Sequence, residues 1–160
     1  MYQDNAFKYV ALLNRNTPPG RLLNVLGHGA TALQRLVAGH PELRFSSYID
    51  GENGQHGALS EWPYIVLEAS SSQKIRKARL ELLALNLPVV DLSSTMFGIS
   101  NEDQLARMRG SKEAELEYLG LFTFGNAEEL GPVFKRFSLF KSFGVLPDSV
   151  NPSEGTAERA

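Results

Sequence analysis

Cysteine is absent from this chain of 160 residues. Its absence excludes disulfide staples, a thiolate nucleophile and every zinc or iron–sulfur site held by cysteine. Histidine is scarce: His28, His40 and His56 are too scattered in sequence to suggest a metal site, so neither a metal nor a cofactor is expected. No run approaches the eighteen or so apolar residues that a membrane span needs. The amino end, Met1-Tyr2-Gln3-Asp4-Asn5, lacks the basic start and apolar stretch of a secretion signal, so a cytoplasmic protein without a membrane partner is expected. A cationic excess is missing too, with 16 Lys and Arg against 18 Asp and Glu. That balance argues against a broad nucleic-acid surface, which needs positive charge to meet phosphates.

What remains has the composition of an ordinary globular protein, 42% hydrophobic and 21% charged. The length fits one domain with a real core, expected over residues 1–144. Residues 145–160 carry Pro147, Pro152, Gly155 and few apolar groups. Such a segment cannot bury enough surface to offset its ordering entropy, so a disordered or loosely held tail is expected. The tail also holds the whole net charge of −2, which leaves the remainder neutral and able to carry a local basic patch.

Strands and helices alternate along the chain. Phe7 to Leu13 is an apolar run closed by Asn14, Asn16, Pro18 and Pro19, the pattern of a central strand buried on both faces. From Gly20 to Val37 the period becomes helical, with Leu22, Val25, Leu26, Gly29, Leu33 and Leu36 on one face and Gly39 and Pro41 as the stop. Residues 40–62 read as an excursion containing a short strand at Phe45–Ile49. Pro63–Ala69 is a second strong strand; the Ser70-Ser71-Ser72-Gln73 stretch then offers hydroxyl caps, with the glutamine at capping-box spacing, for a helix from Ser71 to Leu85. Asn86 suits a left-handed cap. A strand over Pro88–Leu92, a short exposed helix over Asn101–Met108, a strand over Tyr118–Phe124 and a helix from about Ala127 to Phe134 or beyond complete the order. The predicted fold is a three-layer α/β/α domain around a small mixed sheet of about four strands, with helices on both faces.

In such sheets ligands gather beyond the carboxyl ends of strands. Two segments lie there, Pro18-Pro19-Gly20-Arg21 and Asp91-Leu92-Ser93-Ser94-Thr95-Met96. Gly20, Arg21 and Asn24 fall in the first turns of the first helix, where free N–H groups and the helix dipole favour an anion. His28, Thr31 and Arg35 continue that polar stripe. His28 can exchange a proton near neutral pH or serve as a hydrogen-bonded packing residue. Asp91 ends an apolar strand, where it either needs a partner or caps the Ser93–Ser94 turn. Thr95 offers a hydroxyl. Lys74–Arg79 and the Lys135-Arg136 pair are candidate nucleic-acid contacts, with solvated helix faces as the simpler alternative.

Three blocks, Val10–Ala32, Ile65–Phe97 and Leu119–Lys141, resemble in order the core of the peptidyl-tRNA hydrolase II fold, and more closely the uncharacterised bacterial family called domain of unknown function 2000. The strings that carry the likeness are Leu12-Leu13-Asn14-Arg15, Pro18-Pro19-Gly20-Arg21-Leu22-Leu23-Asn24 with His28, Asp91 with Ser94-Thr95-Met96, and Tyr118-Leu119-Gly120, Phe124-Gly125 and Lys135-Arg136-Phe137-Ser138-Leu139. The hydrolases open their first helix with Gly-Lys and later place an aspartate four residues before a threonine. Here Asp91 and Thr95 keep that spacing, while Arg21 stands at the lysine position and residues 41–62 look like an insertion. An arginine stays charged and acts only as a donor or electrostatic clamp, whereas a lysine can assist proton transfer.

The resemblance implies a hydrolase of an acyl ester or an aminoacyl or peptidyl conjugate, on a small anionic or tRNA-linked substrate. In that reading Asp91, Thr95 and Arg21 are catalytic, and Gly20, Asn24, His28, Ser94 and Met96 bind. The alternative is a non-catalytic anion- or ligand-binding module on the same fold. A third reading is a partner-binding protein, with a homodimer as its simplest form.

Overall fold

The computed structural model describes residues 6–141; the tail expected over 145–160 lies outside them. In chain order the elements are β1 (Phe7–Asn14), α1 (Pro19–Val37), β2 (Phe45–Ile49), β3 (Gln55–Ser60), β4 (Tyr64–Ala69), α2 (Ser72–Ala84), β5 (Val90–Ser93), α3 (Asn101–Gly110), β6 (Tyr118–Asn126), α4 (Ala127–Phe134) and β7 (Ser138–Leu139). Single 3-10 turns stand at Ser94–Met96 and Glu113–Glu115.

β1 is central, as its apolar run from Tyr9 to Leu13 requires. The five-stranded sheet has the order β5-β6-β1-β4-β7. β1 is parallel to β4 and antiparallel to β6, and β5 is antiparallel to β6. β1, β4 and β5 therefore point the same way, so the sheet is mixed. The expected count of about four strands falls short by one. β7 pairs only Leu67 with Leu139 and Glu68 with Ser138, a contact too short to leave a period in the sequence. The excursion holds two strands rather than one, because β2 and β3 pair as a separate antiparallel hairpin. Ser60 apart, every residue of its two strands is exposed. Its base is held by buried Trp62, whose indole N–H donates to the Glu42 carbonyl, and by Arg44 stacked 4.8 Å from the indole centroid.

The two faces of the sheet follow the period-two alternation of its strands. On β1, Tyr9, Ala11 and Leu13 face α1, packing with Leu22, Val25, Leu33 and Val37. Val10 and Leu12 face the other way, against Ile75, Ala78 and Leu82 of α2 and Leu130 and Val133 of α4. At about 1.5–3 kcal/mol for each fully buried large side chain, these two clusters supply the main force for folding. The buried stripe of α1 ends on Val37 rather than Leu36, which is 53% exposed. Steps of four from Val25 through Gly29 and Leu33 lead to position 37, and Leu36 is left on the flank. α2 begins one residue later than the capping-box spacing requires. Ser71, not Ser70, accepts from the Lys74 N–H, which leaves Gln73 a position short of closing the box. Asn86 takes the left-handed conformation expected of it, with φ 55°.

β6 carries one irregularity that bears on the candidate site. Its register with β5 shifts between Leu92 and Ser93, so that Leu119 is an extra residue opposite them. Such a bulge reverses the alternation. Phe122 and Phe124 face α1, yet Tyr118 joins the α2 side and Leu119 the α1 side.

Candidate functional site

β1 ends on Asn14, which is 4% exposed. Its amide donates to the Tyr118 carbonyl at 3.1 Å, and its side-chain oxygen accepts from the Asn16 N–H at 3.1 Å. Asn16 in turn donates its amide to the Ser70 carbonyl at 2.8 Å. These bonds tie the turn after β1 to β6 and to the start of α2. The Pro18 carbonyl then accepts from the Leu22 N–H as the first bond of α1. Pro19 presets φ at the first helical position and has no N–H. No side chain caps this end, and its first turn holds no acidic residue. Among the described residues the Gly20 and Arg21 N–H groups have no acceptor. A Cβ at Gly20 would meet nothing within 4 Å, so this backbone stands open.

A concave cleft of about 380 Å³ lies at this corner, lined by Asn14, Asn16, Thr17, Pro18, Arg21, Ser94, Glu117 and Leu119. The parallel strands β1 and β5 both deliver their carboxyl ends to it, the place where open α/β sheets bind ligands. The Arg21 guanidinium sits 5.4 Å from the Phe97 ring centroid, an orientation that cation–π attraction favours. Among the described residues, neither Arg21 nor Glu117 has an ion-pair partner. Thr17 is only 8% exposed, and its hydroxyl makes no hydrogen bond among the described residues. Because no fully sealed side-chain oxygen lacks a partner, that hydroxyl keeps an opening, and Thr17 opens onto this cleft.

A second cleft of about 450 Å³ is lined by His28, Ala32, Val90, Asp91, Leu92, Met96, Phe97, Asn101 and Gln104. It continues into a shallower groove that shares His28, Ala32 and Val90 and reaches Thr31, Arg35, Leu36 and Val89. Together they run between α1 and the edge strand β5.

The residues singled out from sequence are thus distributed over several surroundings. Arg21 and Ser94 line the first cleft. His28, Asp91 and Met96 line the second. Gly20 and Asn24 are exposed on the first turns of α1. Thr95 is turned to the Ser93 hydroxyl, 2.6 Å away, and to the Met108 sulfur at 2.9 Å. The Asp91 carboxylate accepts from Arg79 Nε at 2.7 Å, with the two side chains 15% and 22% exposed. Val90 and Leu92 face α1, so the intervening Asp91 faces α2, and the sheet stands between its carboxylate and Arg21.

Asp91 therefore has the partner that a buried carboxylate needs, and that partner belongs to a closed network. Arg76 forks onto Glu113 at 2.8–3.1 Å, the Tyr118 hydroxyl donates to Glu113 at 2.8 Å, and Arg79 lies 3.8 Å from the same carboxylate. The Arg76 hydrogen bond, followed by that of Tyr118, holds the Glu113 carboxyl below the usual glutamate range. Burial, reinforced by the hydrogen bond to Glu113, pushes the Tyr118 phenol well up. Burial opposes the Arg79 charge most strongly, but the Asp91 hydrogen bond and the neighbouring negative charges of Asp91 and Glu113 together outweigh it and raise Arg79 overall. Two of the four cations expected on the solvated face of α2 are thus committed to ion pairs.

Sequence reasoning missed Thr17, Glu117 and Leu119, and it read Asn14 and Asn16 only as strand terminators. The buried polar Asn14 at the end of a central strand was a usable signal; Glu117, in an acidic stretch before a strand, offered none. Among the described residues, no group of three or more acidic or histidine side chains is placed to hold a metal ion. Nor is any helix among them long and apolar enough to cross a membrane.

Residues 7–141 match the sequence model of a family described as "Protein of unknown function (DUF2000)". No curated protein matches the chain. Among solved structures, the chain is similar to a protein of unknown function from Agrobacterium tumefaciens at 16% identity and a TM-score of 0.70, over 85% of this chain and 98% of that one. At that identity the likeness speaks to the fold alone.

Proposed function

This chain belongs to the DUF2000 family, and we propose that it binds a small anionic ligand in the cleft where β1 turns into α1. The observation that carries this reading is Arg21, a permanent cation lining that cleft without an ion-pair partner among the described residues. The uncapped start of α1 adds partial positive charge on the same element. Thermal unfolding with inorganic phosphate or acetate tests it. At ten times the dissociation constant, a ligand that binds only the folded state stabilises it by about 1.4 kcal/mol. The expected rise in Tm disappears in Arg21→Met, and a rise of equal size in wild type and variant rejects the cleft as the site.

Hydrolysis of an acyl ester or of an aminoacyl or peptidyl conjugate, on a peptidyl-tRNA hydrolase II-like fold, is the second reading. It is favoured by the Asp91 and Thr95 spacing and by the close hydroxyl pair of Ser93 and Thr95. It ranks below binding because Asp91 is committed to Arg79, on the side of the sheet away from Arg21. Deacylation of peptidyl-tRNA and of a model ester by wild type and Asp91→Asn decides it, and turnover no faster than background in both proteins rejects the enzyme. The tRNA-linked substrate, a homodimer and a cytoplasmic setting belong with these proposals.

A further inference from the structure

We infer that the ligand of the first cleft is a small zwitterion, carrying an ammonium as well as the anionic group; this rests on the anion-binding reading above. The cleft presents two formal charges of opposite sign, Arg21 from α1 and Glu117 from the residue before β6. They do not approach within the 4.0 Å of an ion pair, and neither has another ion-pair partner among the described residues. Elsewhere on this molecule neighbouring opposite charges do close on each other, as in Arg15–Glu68, Arg76–Glu113, Arg79–Asp91 and Arg136–Glu81. At this corner a cation and an anion without an ion-pair partner among the described residues instead line one concave space.

A simple anion at Arg21 is repelled by Glu117, and a simple cation at Glu117 is repelled by Arg21. A molecule with both charges meets a complementary group at each end. Its anionic group would face the guanidinium and the open N–H groups at the start of α1, and its ammonium would face the Glu117 carboxylate. Thr17 is a residue more than nine-tenths buried, and its hydroxyl, without a partner among the described residues, can donate to the first or accept from the second. Asn16 donates an amide hydrogen to the Ser70 carbonyl, and its side-chain oxygen, without a donor among the described residues, can accept from an ammonium. Pro18 and Leu119 supply the apolar part of the lining, suited to a short carbon skeleton. A volume of about 380 Å³ falls at the small-molecule end of ligand sites. α-Amino acids and aminoalkyl phosphates share this chemistry and differ in the spacing of their charges.

Calorimetric or NMR titration of the full chain with leucine and with O-phosphoethanolamine separates those two sources, each run beside its N-acetylated form, with leucinamide as the cation alone. The expected result is that at least one zwitterion binds about tenfold or more tightly than its acetylated form, and that leucinamide binds weakly. Glu117→Gln, a change at an exposed residue, is expected to erase that preference while retaining the anion. Thr17→Val weakens the zwitterion, and Arg21→Met loses zwitterion and anion together. Equal binding of free and acetylated forms, or an unchanged preference in Glu117→Gln, overturns the zwitterion and leaves the anion site standing. Binding of none of these compounds overturns both.

Discussion

Two glycines on α1 test how closely the helix approaches the sheet. Gly27 and Gly29 sit in the interior of the same helix, so replacing either with alanine gains the same backbone term, about 0.8–1.0 kcal/mol in favour of alanine. Their surroundings differ completely. A Cβ at Gly27 meets nothing within 4 Å, whereas a Cβ at Gly29 would overlap the edge of the Phe122 ring on β6. That ring has no room to yield, being fully buried and with Gly120 beneath it, where a Cβ would already be 3.0 Å away. Overpacking of a tight core costs about 1–3 kcal/mol. Gly27→Ala should therefore be more stable than wild type by somewhat under 1 kcal/mol, and Gly29→Ala less stable by up to about 2 kcal/mol. Because the backbone gain is common, the difference between the two variants, about 1–3 kcal/mol, reads the packing cost directly. Urea unfolding followed by the fluorescence of Trp62, the one tryptophan and itself buried in the same cluster, measures it. The slope of free energy against denaturant should not change, since the exposed surface is the same. Phe122→Leu in the Gly29→Ala background should recover part of the loss, as a favourable coupling in a double-mutant cycle. If Gly29→Ala proves as stable as Gly27→Ala, α1 does not touch β6 through this glycine, and the description of that face of the core is wrong.

Other perturbations probe the charge network on the opposite face. Arg79→Met leaves the Asp91 carboxylate largely buried and unpaired; the expected loss is about 2–4 kcal/mol, at the lower side of the range for broken buried pairs because some solvent reaches both groups. Arg79→Met with Asp91→Asn should recover much of it in the same urea assay, and a single variant within 0.5 kcal/mol or so of wild type would contradict the pair's burial. Glu113 titrates below its usual range in the folded state because Arg76 and Tyr118 hydrogen-bond its carboxylate. Its contribution to stability is therefore complete above the usual glutamate pKa of about 4.3 and is lost as the pH falls through the depressed folded-state value. Midpoints of urea unfolding measured downward from about pH 6 should fall more steeply for wild type than for Glu113→Gln in that acid window, by an amount damped because the side chain is 37% exposed. Parallel curves would remove Glu113 from the network.

The elements most legible in the sequence were those whose apolar runs end in strong punctuation. β1 stops at Asn14 before two prolines, and α4 begins at the expected Ala127 and ends at Phe134 without running beyond it. β7 was not legible because two residues carry no period, and β3 was not because Gln55–Ser60 has no alternation to display. The candidate site divided along the same line. Arg21 and Gly20 were visible because a proline pair followed by a helical period marks a helix start. The orientation of Asp91 was available in principle, since a residue between Val90 and Leu92 must face away from both, but its partner Arg79 depends on how α2 lies across the sheet. Glu117 gains its position from a long-range contact, the Ser94 N–H on its carbonyl, which no local pattern announces.

The bulge on β6 links the two charge systems that these residues form. With regular alternation, Tyr118 would face α1 and Leu119 would face α2; the extra residue exchanges them. Tyr118 then reaches Glu113 with its hydroxyl, while Leu119 enters the cleft with Arg21. The backbone between them is pinned from several sides. Ser72 accepts from the Tyr118 N–H at 2.8 Å, Asn14 donates to the Tyr118 carbonyl at 3.1 Å, and the Ser94 N–H donates to the Glu117 carbonyl at 2.9 Å. Glu117 is thus carried on a rigid stretch of chain whose neighbours are committed on both faces of the sheet. A carboxylate on a free loop would swing toward Arg21 and neutralise it; one carried on a pinned backbone can stay apart. The closed network of Arg76, Arg79, Asp91, Glu113 and Tyr118 ties the same stretch of β6 down on the α2 face of the sheet, one residue from the proposed ammonium-binding carboxylate of Glu117.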